Sequence, residues 1–262
     1  MMEWLIVLVV IALGVSAAAW FAQERLIFFP QPLVSTTHLP ARASTLEVVA
    51  ADGTRLRGWI VKAERTPAPV VIYFGGNAEE VSWILADARW PRNWTIVGLN
   101  YRGYGTSEGK PGEAALTGDA LAIYDAVARN ADIDPRRIVV FGRSLGTAIA
   151  VRLAAQRPVA GVVLVSPYDS LVAIGRHHYP LLPVSLLLRH RFDAVADAKR
   201  DTMPLLAIVG ESDSIIPQER SRALYDAWAG PKTWQVESRQ GHNDLGNSAS
   251  FWTGVTSFLA KR

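Results

Sequence analysis

At 262 residues the chain has the length of one large α/β domain, and it can bury a sizeable core. It is 50% apolar and 19% charged, with a formal net charge of +3 and no cysteine, which excludes a disordered chain, a disulfide-stapled fold and any thiolate nucleophile or metal ligand. The arginines are scattered and no basic run is interleaved with aromatics, so nucleic acid is excluded as a partner as well.

Residues 4–21 carry no charge and a single polar side chain, Ser16. As a helix rising about 1.5 Å per residue they reach about 27 Å, with Trp4 and Trp20 at the two ends where interfacial residues stand. This predicts a single-pass membrane anchor within residues 1–24. Two alternatives compete with it. A cleaved secretory signal would use the small residues Ser16-Ala17-Ala18-Ala19 but lacks a basic start, and a buried core helix is the other. Arg25 and Arg42 after the run, against Glu3 before it, lean the folded part towards the cytoplasmic side. Residues 25–44 are broken by Pro30, Pro32 and Pro40 and read as a stem.

The folded domain is expected over residues 45–262. Residues 46–50 and 56–61 flank Asp52-Gly53 and predict an antiparallel hairpin. Apolar β-branched runs then alternate with helical periods. Strands are predicted at 70–74, 94–99, 137–141, 159–165, 204–209 and 233–236, and helices at 78–88, 113–128, 147–156, 218–228 and 248–259. Such alternation gives the α/β class, a mostly parallel sheet with helices on both faces. Residues 168–203, interrupted by Pro180 and Pro183, are too long for a simple connection and read as a small helical cap. Inserted segments over the carboxyl edge of such a sheet shape ligand sites. Tyr179, Leu181, Leu182 and Leu186 to Leu188 are therefore candidates for an acyl-accepting groove, the alternative being simple packing onto the domain.

The chemistry gathers around Gly142-Arg143-Ser144-Leu145-Gly146, at a predicted junction of strand and helix. A sharp turn there would hold Ser144 in a strained conformation with its hydroxyl exposed, and glycines on either side avoid clashes. A serine hydroxyl needs a base to take its proton and an acid to orient the base. Asp213, in the loop after residues 204–209, and His242, after the last strand, arrive in the order this turn requires. Glu211 is the weaker candidate for the acid. His177, His178 and His190 fall in the cap, His38 in the stem, and Ser107, Ser166 and Ser170 lack the turn. Asp244 reads as a cap for the final helix or a brace for the histidine loop. Negative charge developing on an attacked carbonyl oxygen calls for two backbone donors, the amide of Leu145 and one from the loop Gly75-Gly76-Asn77. The glycine-rich loop after residues 94–99 lacks a nucleotide-binding spacing and reads as a wall of the site. His177-His178 are adjacent rather than spaced for metal, so neither metal nor cofactor is expected.

The segments RLIFFP, YFGGNA, NYRGYGTSEG, GRSLGTA, GESDSIIP and GHNDL together resemble the α/β-hydrolase superfamily. More narrowly, they resemble its membrane-anchored single-domain hydrolases, which include protein depalmitoylases, and its serine aminopeptidase-like hydrolases. The resemblance implies an α/β-hydrolase fold, a triad of Ser144, Asp213 and His242, and oxyanion amides from Asn77 and Leu145. It also marks a departure, since Gly75 stands where relatives have a histidine. The cysteine-rich targeting segment of the depalmitoylases is absent, so their substrate does not transfer. The expectation is a serine hydrolase cleaving an ester or thioester of a small or lipid-like acyl substrate. A peptidase or amidase with the same triad is one alternative, and a non-catalytic membrane-bound interaction protein is another. The oligomeric state stays open.

Overall fold

The protein, described here by a computed structural model, is defined over residues 2–262, the side chains of 5, 6, 8, 9 and 11–13 excepted. A long helix α1 (Met2–Ile27) leads into an irregular segment and then a hairpin of β1 (Ala43–Val49) and β2 (Arg55–Val61). The rest alternates: β3 (Ala68–Phe74), α2 (Ser82–Leu85), β4 (Thr95–Leu99), α3 (Glu113–Ala128), β5 (Ile133–Arg143), α4 (Leu145–Ala154) and β6 (Gly161–Val165). Three short helices follow, α5 (Leu171–His178), α6 (Val184–Leu187) and α7 (Ala194–Ala198), before β7 (Leu205–Gly210), α8 (Gln218–Ala227), β8 (Lys232–Glu237) and α9 (Ala249–Leu259).

The eight strands form one sheet in the order β1-β2-β4-β3-β5-β6-β7-β8, antiparallel at β1-β2 and β2-β4 and parallel from β4 onward. Period-two alternation splits each central strand between two cores. Val70, Ile72 and Phe74, with Ile138 and Val140, join the core beneath α3 and α4. Val71, Tyr73, Val139 and Phe141 face the other, built with Trp90, Trp94, Trp252 and Phe258. Strands buried on both faces explain the unbroken apolar runs in the sequence.

The helix predicted over 78–88 shrinks to the single turn α2. Its residues Glu79 and Glu80 turn inward instead of continuing a helix. Glu80 Oε1 accepts from Asn100 Nδ2 at 2.7 Å while Asn100 Oδ1 takes the Val81 amide at 3.0 Å, so side chains claim backbone groups that a longer helix would use. The segment 28–42 is packed rather than free: Phe28 is buried, and the Phe29 amide donates to Asn77 O at 3.0 Å.

The predicted membrane anchor requires correction. Among the described residues no helix is long and apolar enough to cross a membrane. The side chains that carry much of the apolar run lie outside the described residues. The last turns of α1 pack on the folded body, with Gln23 and Ile27 buried and Gln23 Nε2 donating to Leu187 O at 3.2 Å, whereas Trp4, Val7, Val10 and Val15 are exposed. These last turns carry Gln23, Glu24 and Arg25 and contact the cap through Gln23. The single-pass localisation, its cytoplasmic lean and the membrane partner are withdrawn with it.

One buried carboxyl sits awkwardly between α7 and β7. Asp201 is 1% exposed and neither oxygen has a hydrogen-bond partner among the described residues. Burial, with help from the neighbouring Asp197 charge, pushes its pKa up to about 7. The folded state therefore keeps a proton that the unfolded chain has lost above its ordinary value, and stability falls as pH rises through that window. Asp201→Asn is expected to stabilise the fold by on the order of 2 kcal/mol at pH 8, with the gain vanishing towards pH 4. Urea denaturation across that range measures it, and a gain independent of pH would refute the account.

Candidate active site

At the carboxyl edge of the sheet, β5 runs directly into α4 through Ser144, whose φ of 50° and ψ of −117° are a strained conformation for a residue with a Cβ. Two glycines make the turn sterically possible. A Cβ on Gly142 would stand 2.5 Å from Gly146 O, and one on Gly146 would fall on the Phe74 carbonyl oxygen. The turn is further held by Thr147, whose hydroxyl and amide both donate to Ser144 O, at 2.6 and 2.9 Å.

Ser144 Oγ lies 3.0 Å from His242 Nε2, and His242 Nδ1 lies 2.8 Å from Asp213 Oδ2. All three side chains are largely withdrawn from solvent. Asp213 is held by more than the histidine: Ser166 Oγ donates to Oδ2 at 2.7 Å, and the amides of Ile215 and Ile216 donate to Oδ1 at 3.0 and 2.8 Å. Burial alone would raise this carboxyl, but the donors, His242 foremost, outweigh it and hold its pKa below the ordinary value. An anionic acid fixed in this way orients the imidazole with its other nitrogen towards the serine.

The loop after β3 lies against this turn because Phe74 pairs with Gly142 in the sheet. Its Gly76 amide donates to Glu79 Oε2 at 2.9 Å, and Glu79 also accepts from Tyr73 Oη at 2.7 Å and from Arg143 Nη1 at 3.1 Å. Arg143 continues the network, with Nη2 donating to His242 O at 3.3 Å and to Asn243 Oδ1 at 3.1 Å. One carboxylate and one guanidinium thus tie three loops together. The departure at Gly75 has a physical correlate here: a Cβ on Gly75 would come within 3.2 Å of the Glu79 carboxyl carbon, so Glu79 occupies the room a larger residue would need.

Asn77 turns its side chain away from α2. Its Nδ2 donates to Ile27 O at 3.1 Å, and its carbonyl accepts from Tyr104 Oη at 2.6 Å. Tyr101 Oη donates to Gly75 O at 2.7 Å. The glycine-rich loop after β4 therefore props the β3 loop from behind, and no residue of it lines the cavity among the described residues. Leu145, first residue of α4, has an amide without an intrahelical acceptor.

The cavity in front of Ser144 has a volume of about 890 Å³ and mostly apolar walls. The cap supplies Tyr179, Leu182, Leu187 and Leu188, as anticipated, whereas Leu181 and Leu186 are 96% and 79% exposed and point elsewhere. Arg143, His178 and the first helix also line it, the last through Ala19, Gln23, Leu26 and Ile27. His178 fell in the cap, where surface or substrate contact was the reading, but Arg143 and the first helix were not legible as walls. For α1 the misleading signal was its hydropathy. For Arg143 and Glu79 the only hint was charge beside a turn.

The remaining candidates lie apart. Glu211 accepts from the Arg239 amide at 2.9 Å, and His38 stacks on Trp83. His177 faces Glu219 at 3.7 Å, and His190 packs edge-on against Phe28. Ser170 caps α5, Ser107 bonds Asn100 O at 2.8 Å, and α9 is capped by Ser248 rather than Asp244. Among the described residues no cluster could hold a metal ion.

Glu79 is accordingly expected to position the β3 loop and Arg143. In Glu79→Gln the pairing with Arg143 is lost and the Gly76 amide is no longer drawn by a charge. The kcat for a short ester is expected to fall about tenfold with KM within about twofold, since misplacing a backbone donor by a fraction of an ångström weakens the transition state more than the ground state. A variant that changed KM alone would assign Glu79 to substrate contact instead.

Comparison with known proteins agrees with this architecture. The family described as "Serine aminopeptidase, S33" matches residues 65–188, and "Serine hydrolase (FSH1)" matches residues 138–243. The chain is 38% identical over 243 residues to an uncharacterized protein of Mycobacterium tuberculosis, covering 91% of this chain and 86% of that one. It is 29% identical to the alpha/beta hydrolase domain-containing protein WAV2 of Arabidopsis thaliana, covering 96% and 92%. Among solved structures, the alpha/beta hydrolase GrgF from Penicillium sp. sh18 superposes with a TM-score of 0.71 at 19% identity, over 85% of this chain and 99% of that one.

Proposed function

Because this chain belongs to the α/β-hydrolase superfamily, as an enzyme of its serine-hydrolase type, we propose that it cleaves carboxylic esters or thioesters through an acyl-enzyme formed on Ser144. The observation that carries the reading is the unbroken hydrogen-bonded chain from Ser144 through His242 to Asp213, opening on an apolar cavity. His242 Nε2 takes the Ser144 proton as Oγ attacks the acyl carbonyl. The imidazolium formed is stabilised by the anionic Asp213, and then gives its proton to the departing alcohol or thiol. Water, deprotonated in turn by His242, attacks the acyl-serine and releases the acid with Ser144 restored.

Negative charge on the tetrahedral oxygen would fall to two amides. Leu145 N–H is open at the start of α4. In the β3 loop the Gly76 amide is taken by Glu79, which leaves Asn77 N–H for the oxyanion. Each such donor contributes about 3 kcal/mol to the transition state.

The aminopeptidase reading, which the S33 match invites, is less well supported by the walls. A substrate's free ammonium needs a carboxylate to receive it. Among the described residues the cavity lining contains no Asp or Glu, and its fixed charge is the cation Arg143. A fluorophosphonate probe is expected to label the full-length protein at Ser144, and p-nitrophenyl esters to be hydrolysed faster than aminoacyl p-nitroanilides. Labelling elsewhere, or preference for the anilides, would reverse the assignment.

A further inference from the structure

The cavity is much larger than a nucleophile and its oxyanion hole require, and one of its walls comes from an element outside the α/β body. Ala19, Gln23, Leu26 and Ile27 are spaced four, three and one residues apart and so form a single face of α1. The near end of that face adjoins the β3 loop, since Ile27 O accepts from Asn77 Nδ2 at 3.1 Å. Ala19 lies two turns back along the helix, about 12 Å away at 1.5 Å per residue. Opposite stand Leu182, Val184, Leu187 and Leu188 of the cap. The result is an apolar trough that contains Ser144 and, two helical turns beyond the Ile27 contact with Asn77, the small side chain of Ala19.

The width of the trough is fixed by polar contacts at its rim. Gln23 Nε2 donates to Leu187 O at 3.2 Å, and Gln23 Oε1 accepts the Arg189 amide at 2.8 Å. The Arg189 guanidinium reaches Glu24 Oε1 at 3.2 Å and lies 5.4 Å from the Trp20 ring centroid. Gln23 is the polar side chain of this wall, yet its amide is committed to these bonds and offers little to a substrate. A polar acyl group would find no partner along this face. An unbranched alkyl chain would exchange water for contact along its whole length.

We infer that α1 sets the acyl-chain length accepted at Ser144, with Ala19 marking the far end, and that the substrate class is a medium-chain acyl ester or thioester. The 12 Å reach corresponds to about ten carbons of an extended chain with C–C bonds of about 1.5 Å at tetrahedral angles. This rests on the acyl-enzyme reading above. Each methylene seated in the trough adds about fourfold to kcat/KM, and a chain that overruns Ala19 gains nothing more. The small side chain of Ala19 thus serves as room for a chain terminus.

The test compares p-nitrophenyl butanoate, decanoate and palmitate in the full-length wild type, Ala19→Phe and Ala18→Phe. Ala18 is an exposed neighbour on the same helix and controls for damage to α1. The wild type should prefer decanoate over butanoate and gain nothing further with palmitate. Ala19→Phe should lower the decanoate-to-butanoate ratio of kcat/KM by at least about tenfold, as expected from losing room for two or more methylenes, while Ala18→Phe leaves the ratio unchanged. A ratio unaltered by Ala19→Phe in protein still labelled by fluorophosphonate, or palmitate preferred over decanoate, overturns the inference. A second readout does not depend on turnover. Ser144→Ala protein should bind decanoate in a calorimetric titration and lose that binding when Ala19→Phe is added. Wild type inert towards every ester, with this binding pattern intact, would overturn the acyl-enzyme reading and leave the trough standing. Binding indifferent to residue 19 would overturn the trough.

Discussion

Ser144→Ala is expected to lower kcat for p-nitrophenyl ester hydrolysis by about 10⁴- to 10⁶-fold, with KM little changed. The proposed mechanism puts the only covalent bond on Ser144 Oγ, and the side chain standing 3.0 Å from His242 Nε2 has no neighbour able to replace it. Ser166 is the nearest hydroxyl by function, but its proton is directed at Asp213 Oδ2 and it stands behind the acid rather than before the cavity. The residual rate should reflect only the two oxyanion amides and binding. Steady-state kinetics and fluorophosphonate labelling on the same preparation decide the matter. Persistence of a hundredth or more of the wild-type rate would remove Ser144 from the nucleophile's role.

Asp213→Asn should cost nearly as much, about 10⁴-fold in kcat, while leaving the fold intact. The carboxylate accepts from four donors, two at each oxygen, and an amide can satisfy only half of them. With its NH2 towards His242 it forces the imidazole into the wrong tautomer. With the NH2 the other way round, it faces the amides of Ile215 and Ile216, donor against donor. Asp213→Asn should lose activity at every pH above the range in which the wild-type carboxyl titrates, because the wild-type pKa is already held below the ordinary value. A loss confined to acid pH would mean that Asp213 does not orient His242.

The α/β architecture and the Ser144 turn were readable because each rests on a local constraint. Strands buried on both faces must be apolar throughout, and a turn at positive φ flanked by close helix and strand leaves glycine as the residue that fits at 142 and 146. Asp213 and His242 were singled out by chain order, and the structure joins them to each other and to Ser144 by hydrogen bonds. The hinge of the site was not. Glu79 looked like a helical residue; its partners Tyr73 and Gly76 are near in sequence but Arg143 is 64 positions away, so only the fold completes the network. The first helix misled for a related reason. Hydropathy reads the helix without its contacts, and the bonds that tie its last turns to the cap, from Gln23 to Leu187 and Arg189, join residues more than 160 positions apart.

Those bonds have a practical corollary for anyone preparing the enzyme. A chain trimmed to begin at Phe28 would retain every residue of the hydrogen-bonded chain at Ser144 and keep the whole sheet, yet it would be a different catalyst. Removing Gln23 strands the Leu187 carbonyl and the Arg189 amide, and removing Ala19, Leu26 and Ile27 floods one side of the cavity with water. Short, soluble esters would still turn over in such a protein. Its selectivity would describe an open cleft, and a substrate screen run on it would be answering a question about another molecule.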